Sequence, residues 1–178
     1  MPTALSMMEA LGNNFPGLIQ LLTVVAYLLG MWAGISAFVL LRKRNRYDPA
    51  ATLGAIGVRM WLCALFLFLP TAIGTALETF FGAPTLVGYT AGSVVPGPGR
   101  AALAVVVRFV QVVGLWAFIW GWNLWGRAHQ RGYDAVLGNK AIAHIVGGVF
   151  AMNLIGTLQA FAQTFGLEKL LNYIVIAG

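Results

Sequence analysis

Charge is what this chain has least of. Only 9% of its 178 residues are Asp, Glu, Lys or Arg, against 60% that are hydrophobic. A water-soluble domain usually carries about 25% charged residues. A surface facing water cannot be covered from this composition, so the class to expect is integral membrane protein. Cysteine is nearly absent. The single Cys63 excludes an intrachain disulfide, and within an apolar run it is most simply a small apolar filler. His129 and His144 are the only histidines, so no Cys/His set is available to hold a metal. The chain also lacks G-x-S-x-G, H-E-x-x-H and a phosphate loop. "VPGPG" (95–99) is too short and proline-bound to cradle phosphate and reads as an outer turn. Chemistry would have to hide among five acids, mostly in links. An enzyme is therefore not expected, and no cofactor is required, a bound phospholipid being the one admitted. The opening "MPTALSMMEALGNNFPG" has no Lys or Arg, whereas a secretory signal needs a basic region before its apolar stretch. The expectation is no cleaved signal and a first helix inserted with its N-terminus outside.

What the chain does have is long apolar runs. Four of them, 18–41, 53–81, 101–125 and 141–165, reach the length needed to cross a bilayer, which is about 20 residues. They are continuous and lack period-two alternation, so they read as helices rather than barrel strands. The basic residues lie beside them. Arg42, Lys43, Arg44 and Arg46 follow the first run, and Arg127, Arg131 and Lys140 follow the third. The net charge of +6 therefore reads as a topology signal, and no nucleic-acid recognition is expected. By the positive-inside rule both basic links are cytoplasmic and both termini are extracytoplasmic. The expected fold is all-α and polytopic, with four transmembrane helices as two out–in–out hairpins. An extracytoplasmic tail spans 1–17, hairpin one 18–81, an outer link 82–100 and hairpin two 101–166. The stretch 167–178 has apolar residues on one helical face, and reads as an interfacial helix or a contact to another subunit.

The two hairpins resemble each other. An offset of 84 positions (114 minus 30) sets Gly30 on Gly114, Trp32 on Trp116, Ala33 on Ala117 and Ile35 on Ile119. It also sets Phe81–Gly82 on Phe165–Gly166. Halves of like topology would be related by an axis along the membrane normal.

Arg108 is the costly residue. Counted from a membrane entry at Ala101, it lies about 10 Å deep, where an unpaired charge costs several kcal/mol. Glu78 is the one acid within a run, also in the outer half. An intramembrane pair of Glu78 and Arg108 is expected, tying one hairpin to the other or one subunit to the next. Such a pair serves as structural glue; the alternative is that Arg108 and Gln111 line a hydrated path. Gly30 and Gly34 form a small-xxx-small pair, and Gly147–Gly148 offers another close approach. His144, Gly148, Ala151, Ile155 and Gln159 recur at helical spacing, with Asn153 nearby. These suit helix contact, within the chain or at a subunit interface. His144 reads as a hydrogen-bonded packing residue. Arg42, Lys43, Arg44, Arg46, Arg127 and Arg131 would face cytoplasmic lipid head groups.

"RFVQVVGLWAFIWGW" (108–122) followed by "KAIAHIVGGVFAMNLIGTLQ" (140–159) resembles the IcmC/DotE/TraQ family. These are small inner-membrane proteins of type IVB (Dot/Icm) secretion and IncI-type conjugal transfer systems. The matching positions are Arg108, Gln111, His144, Gly147, Gly148 and Asn153. The resemblance implies a part of an envelope-spanning machine exporting protein or DNA, located in the bacterial inner membrane. It supplies no catalytic or ligand residue. The function expected is a non-catalytic structural subunit, oligomerising through its transmembrane helices with copies of itself and with other secretion or conjugation subunits. A pilin-like subunit of an extracellular filament, binding anionic lipid, is one alternative. A small channel or transporter is another, and an enzyme acting on lipid ranks last.

Overall fold

The computed structural model describes residues 4–45, 52–82, 98–130 and 133–166. Six helices follow in order: α1 (Ala4–Arg44), α2 (Leu53–Leu67), α3 (Leu69–Phe81), α4 (Pro98–Ala128), α5 (Ala135–Met152) and α6 (Leu154–Phe165). No strand occurs among the described residues. Three helices are long and apolar enough to cross a membrane, and α2 with α3 would make a fourth only as a bent pair. The all-helical membrane class is what the fold shows. Most of the outer link, the 167–178 helix, Arg46 and Arg131 lie outside the described residues.

The first departure is at the N-terminus, where a tail was expected to residue 17. Helix α1 instead starts at Ala4 and continues through Pro16. Good helix formers (Ala, Leu, Met and Glu) fill the stretch before the proline, and their propensity offsets the one lost hydrogen bond.

The second departure is larger. Run 53–81 is not one straight span: α2 and α3 meet at 88°. Pro70 lies in the first turn of α3, where its missing N–H costs no hydrogen bond. The chain turns at Phe68, with φ −106 and ψ 31. Alone, α2 is about 22 Å long, short of the ~30 Å hydrocarbon thickness. Helix α3 is two-faced. Thr71, Thr75, Glu78 and Thr79 are exposed on one side, while Leu69 and Leu77 are buried on the other. The apolar side of α3 shares a cavity wall with Ile19 and Thr23 of α1. Ile19 and Thr23 lie about 20 residues before the basic end of α1, so α3 packs toward the opposite end of the bundle from Arg42. It crosses from hairpin one to hairpin two, ending with Phe80 and Phe81 edge-on to Phe150 of α5 at 5.5 and 6.0 Å.

Hairpin two repeats this plan. Asp134 caps α5, its Oδ1 accepting from the N–H groups of Val136 and Leu137. That starts the helix six residues before the expected run. Helix α5 then breaks at Asn153, which is 1% exposed. The Asn153 side chain accepts from Gly156 N at 3.2 Å and caps α6. The break frees the Phe150 carbonyl, and Thr157 Oγ1 covers it at 2.9 Å. Hydroxyls commonly serve this purpose where no water is at hand.

The 84-residue offset also appears in the elements. Arg44 ends α1 and Ala128 ends α4; Phe81 ends α3 and Phe165 ends α6. Gly82 (φ 71) and Gly166 (φ 67) close both halves in the left-handed conformation, which glycine adopts without a Cβ penalty. The long helices run parallel. Phe15 meets Phe109 near their starts, and Ser36 shares a cavity with Asn123 near their ends. Arg42, Lys43 and Arg44 therefore finish on the same side of the bundle as Arg127.

Candidate helix seams and a polar pocket

Two glycine seams hold each long helix to its return helix. A Cβ on Gly30 would lie 3.0 Å from Phe66 Cβ and 3.3 Å from Leu67 N, and one on Gly34 2.9 Å from Cys63 Sγ. In hairpin two, a Cβ on Gly114 would meet Met152 N at 2.7 Å and Gly148 O at 2.9 Å. Gly148 in turn faces Gly114 O and Phe118 N, both at 2.8 Å. Gly30 and Gly114 thus do the same work, just ahead of the break in the return helix. The contact at Gly30, Gly34 and Gly148 is made inside the chain, the first of the two readings these residues allowed. Gly147 differs. Nothing lies within 4 Å of a Cβ placed on it, so it belongs to no intrachain seam.

His144 is half-buried beside this seam, and its Nδ1 lies 2.8 Å from Lys140 O. With its N–H on Nδ1 it donates back to its own helix, as a packing histidine does. Asn153 accepts one bond, but its buried Nδ2 has no partner.

Glu78 and Arg108 are both exposed, and no ion pair joins them. Phe109, beside Arg108, packs against Phe15 of α1, with ring centroids 6.4 Å apart. Arg108 lies six residues into the apolar stretch Ala102–Ala128, about 9 Å along the helix. Glu78 sits on the polar face of α3.

Gln111, one turn from Arg108, turns inward. It lines a cavity of about 250 Å³ with Thr23, Leu69, Pro70 and Leu115, roofed by α3. A second cavity, of about 360 Å³, lies near the basic end between α1, α2 and α4. Ser36, Arg59, Asn123 and Gln130 line one part of it, and Leu29, Trp32 and Phe66 another. The half-buried Arg59 guanidinium donates from Nη1 to Ser36 O at 3.4 Å. Its remaining N–H groups meet no acceptor among the described residues, and neither do the side-chain amides of Asn123 and Gln130. Sequence reading missed this group. Its one signal was a lone cation early in an apolar helix, and nothing along the chain sets Arg59 beside Asn123.

Arg42, Lys43 and Arg44 are exposed in the last turn of α1, and Arg127 in that of α4. Cations there also suit the helix dipole. Among the described residues no group of three His, Cys, Asp or Glu gathers as for a metal. The chain matches no protein-family model, no curated protein and no solved structure.

Proposed function

We propose that this protein is a structural, non-catalytic subunit of a type IVB-like secretion or conjugation apparatus in the bacterial inner membrane. It would assemble with copies of itself and with other subunits of the machine. One observation carries the reading: three of the six motif residues that suggested the family are used for architecture. Gly148 closes the α4–α5 crossing, Asn153 breaks and caps the chain at α6, and His144 bonds back onto its own helix. The outward faces of α1 and α4 are lined with large apolar residues, including Leu28, Ile35, Phe38, Phe109 and Trp116. Such faces suit lipid and neighbouring subunits alike. Both termini would be extracytoplasmic, with the basic helix ends in the cytosol. A pilin-like filament is a variant of the same reading, with those ends turned to anionic lipid.

The test is deletion of the gene combined with cross-linking in native membranes. Loss of protein or DNA export, together with cross-linked species above the monomer, is expected. Undiminished export with monomer alone would refute the proposal.

A small channel or transporter is the second reading. It is favoured by the two cavities, which lie toward opposite ends of the α1–α4 seam and adjoin one buried cluster that includes Phe66, Leu115 and Phe118. Ion or solute flux in liposomes, lost on Arg108→Leu or Gln111→Leu, would support it over the first.

A further inference from the structure

We propose that the cavity around Arg59 is a phospholipid site, with the lipid phosphate held by Arg59, Asn123 and Gln130. Three features of the cavity lead there.

The first is an imbalance of donors. A guanidinium carries five N–H groups and each carboxamide two more. In this cavity one Arg59 N–H makes a long bond to Ser36 O, and the rest are unused within the described residues. No carboxylate among those residues pairs with Arg59. A half-buried cation with idle neighbours is costly in an apolar bundle unless an anion comes to it. The ligand that complements so many donors is an oxyanion with several acceptor oxygens, and Arg is the side chain suited to a phosphate.

The second feature is position. Ser36 lies about 12 Å along α1 from Arg44, and Gln130 lies just past the end of α4, so the polar part of the cavity reaches from Ser36 to the basic side. An inner-leaflet lipid presents its phosphate at that level without leaving the bilayer.

The third feature separates a lipid from a free anion. The cavity does not end at its polar group. It continues along Leu29, Trp32 and Phe66, and Leu29 is about 10 Å further into the hydrocarbon than Ser36. Trp32 is 72% exposed, so this wall opens onto the bilayer. A phosphate ion would leave the apolar part empty, whereas the glycerol and the first part of an acyl chain would fill it. The volume of about 360 Å³ admits a head group and a chain segment, with the rest of the lipid remaining in the membrane.

The experiment uses the purified full chain in detergent, delipidated and then titrated with phosphatidylglycerol in mixed micelles. Native mass spectrometry reads the bound lipid. One lipid per chain is expected. Arg59→Leu should weaken binding at least tenfold, and Asn123→Leu severalfold. Lys140→Gln, an exposed cation outside the cavity, should change it less than twofold. Inorganic phosphate in a parallel arm should neither bind detectably nor displace the lipid. Absence of bound lipid on the wild-type chain would overturn the proposal, and so would equal binding by Arg59→Leu. Displacement by inorganic phosphate would also overturn it, by making this a free-anion site. A second measurement does not depend on the Arg59 and Asn123 variants folding. Phosphatidylglycerol brominated on its chains should quench wild-type tryptophan fluorescence more than it quenches Trp32→Phe. Equal quenching in the two would count as refutation.

Discussion

Gly147 and Gly148 are neighbours in sequence, yet one added methyl on each should move stability in opposite directions. A Cβ on Gly148 would sit 2.8 Å from both Gly114 O and Phe118 N. Ordinary contact begins near 3.4 Å, so α4 and α5 must separate locally by about 0.6 Å or bend. The atoms struck are backbone, so no side-chain rotation relieves the clash. A gap of ~0.5–1 Å forfeits roughly a quarter to a half of each dispersion contact along the seam. Overpacking of this kind costs about 1–3 kcal/mol. Gly147 has nothing within 4 Å, and Gly→Ala inside a helix is worth about 0.5–1 kcal/mol in its favour. For a chain of this size each kcal/mol shifts the melting temperature by about 2–4 °C. Gly148→Ala should therefore melt several degrees below wild type, and Gly147→Ala slightly above it. Loss of helical circular dichroism on heating in detergent measures both. Equal shifts, or a neutral Gly148→Ala, would show that the Gly114–Gly148 crossing is not the contact that holds hairpin two. Adding Gly114→Ala to Gly148→Ala should cost less than the two separately, because both methyls open the same gap.

Gly126→Ala should be milder than Gly114→Ala, because the added methyl meets the mobile end of the Leu62 side chain rather than backbone; the same melts compare them. Asn153→Ala removes the α6 cap and should cost about 1 kcal/mol, whereas Asn153→Ser keeps an acceptor for Gly156 N, discards the orphaned Nδ2 and should retain most of that stability. In a Cys63→Ala background, an impermeant maleimide should label Thr71→Cys and Thr79→Cys equally and leave Leu77→Cys protected. Were α3 an upright span, the first two would differ in depth by about 12 Å and in labelling accordingly. A Glu78→Ala, Arg108→Ala double-mutant cycle should show no coupling in monomer stability; coupling there would restore the intrachain pair.

The chain alone determined its solvent and its periodicities. With so few charges the helices had to lie in lipid, since a membrane demands that backbone groups be satisfied within each segment. The basic clusters after α1 and α4, and the 84-residue echo from Gly30 to Gly114, were equally legible, because each is a property of residue order. Pro70 could be read too, but not its consequence. A proline kinks a span, ends it or, as at Pro16, leaves it running, and the 88° turn depends on Leu69 and Leu77 finding a surface spanning both hairpins. The packing beside Arg108 was likewise a tertiary matter: Phe109 meets Phe15 of α1. So was the company of Arg59, assembled from three helices distant in sequence. Local order dictates which segments are helical and apolar. Which side chains share a cavity is settled by how close the glycine seams let the helices come.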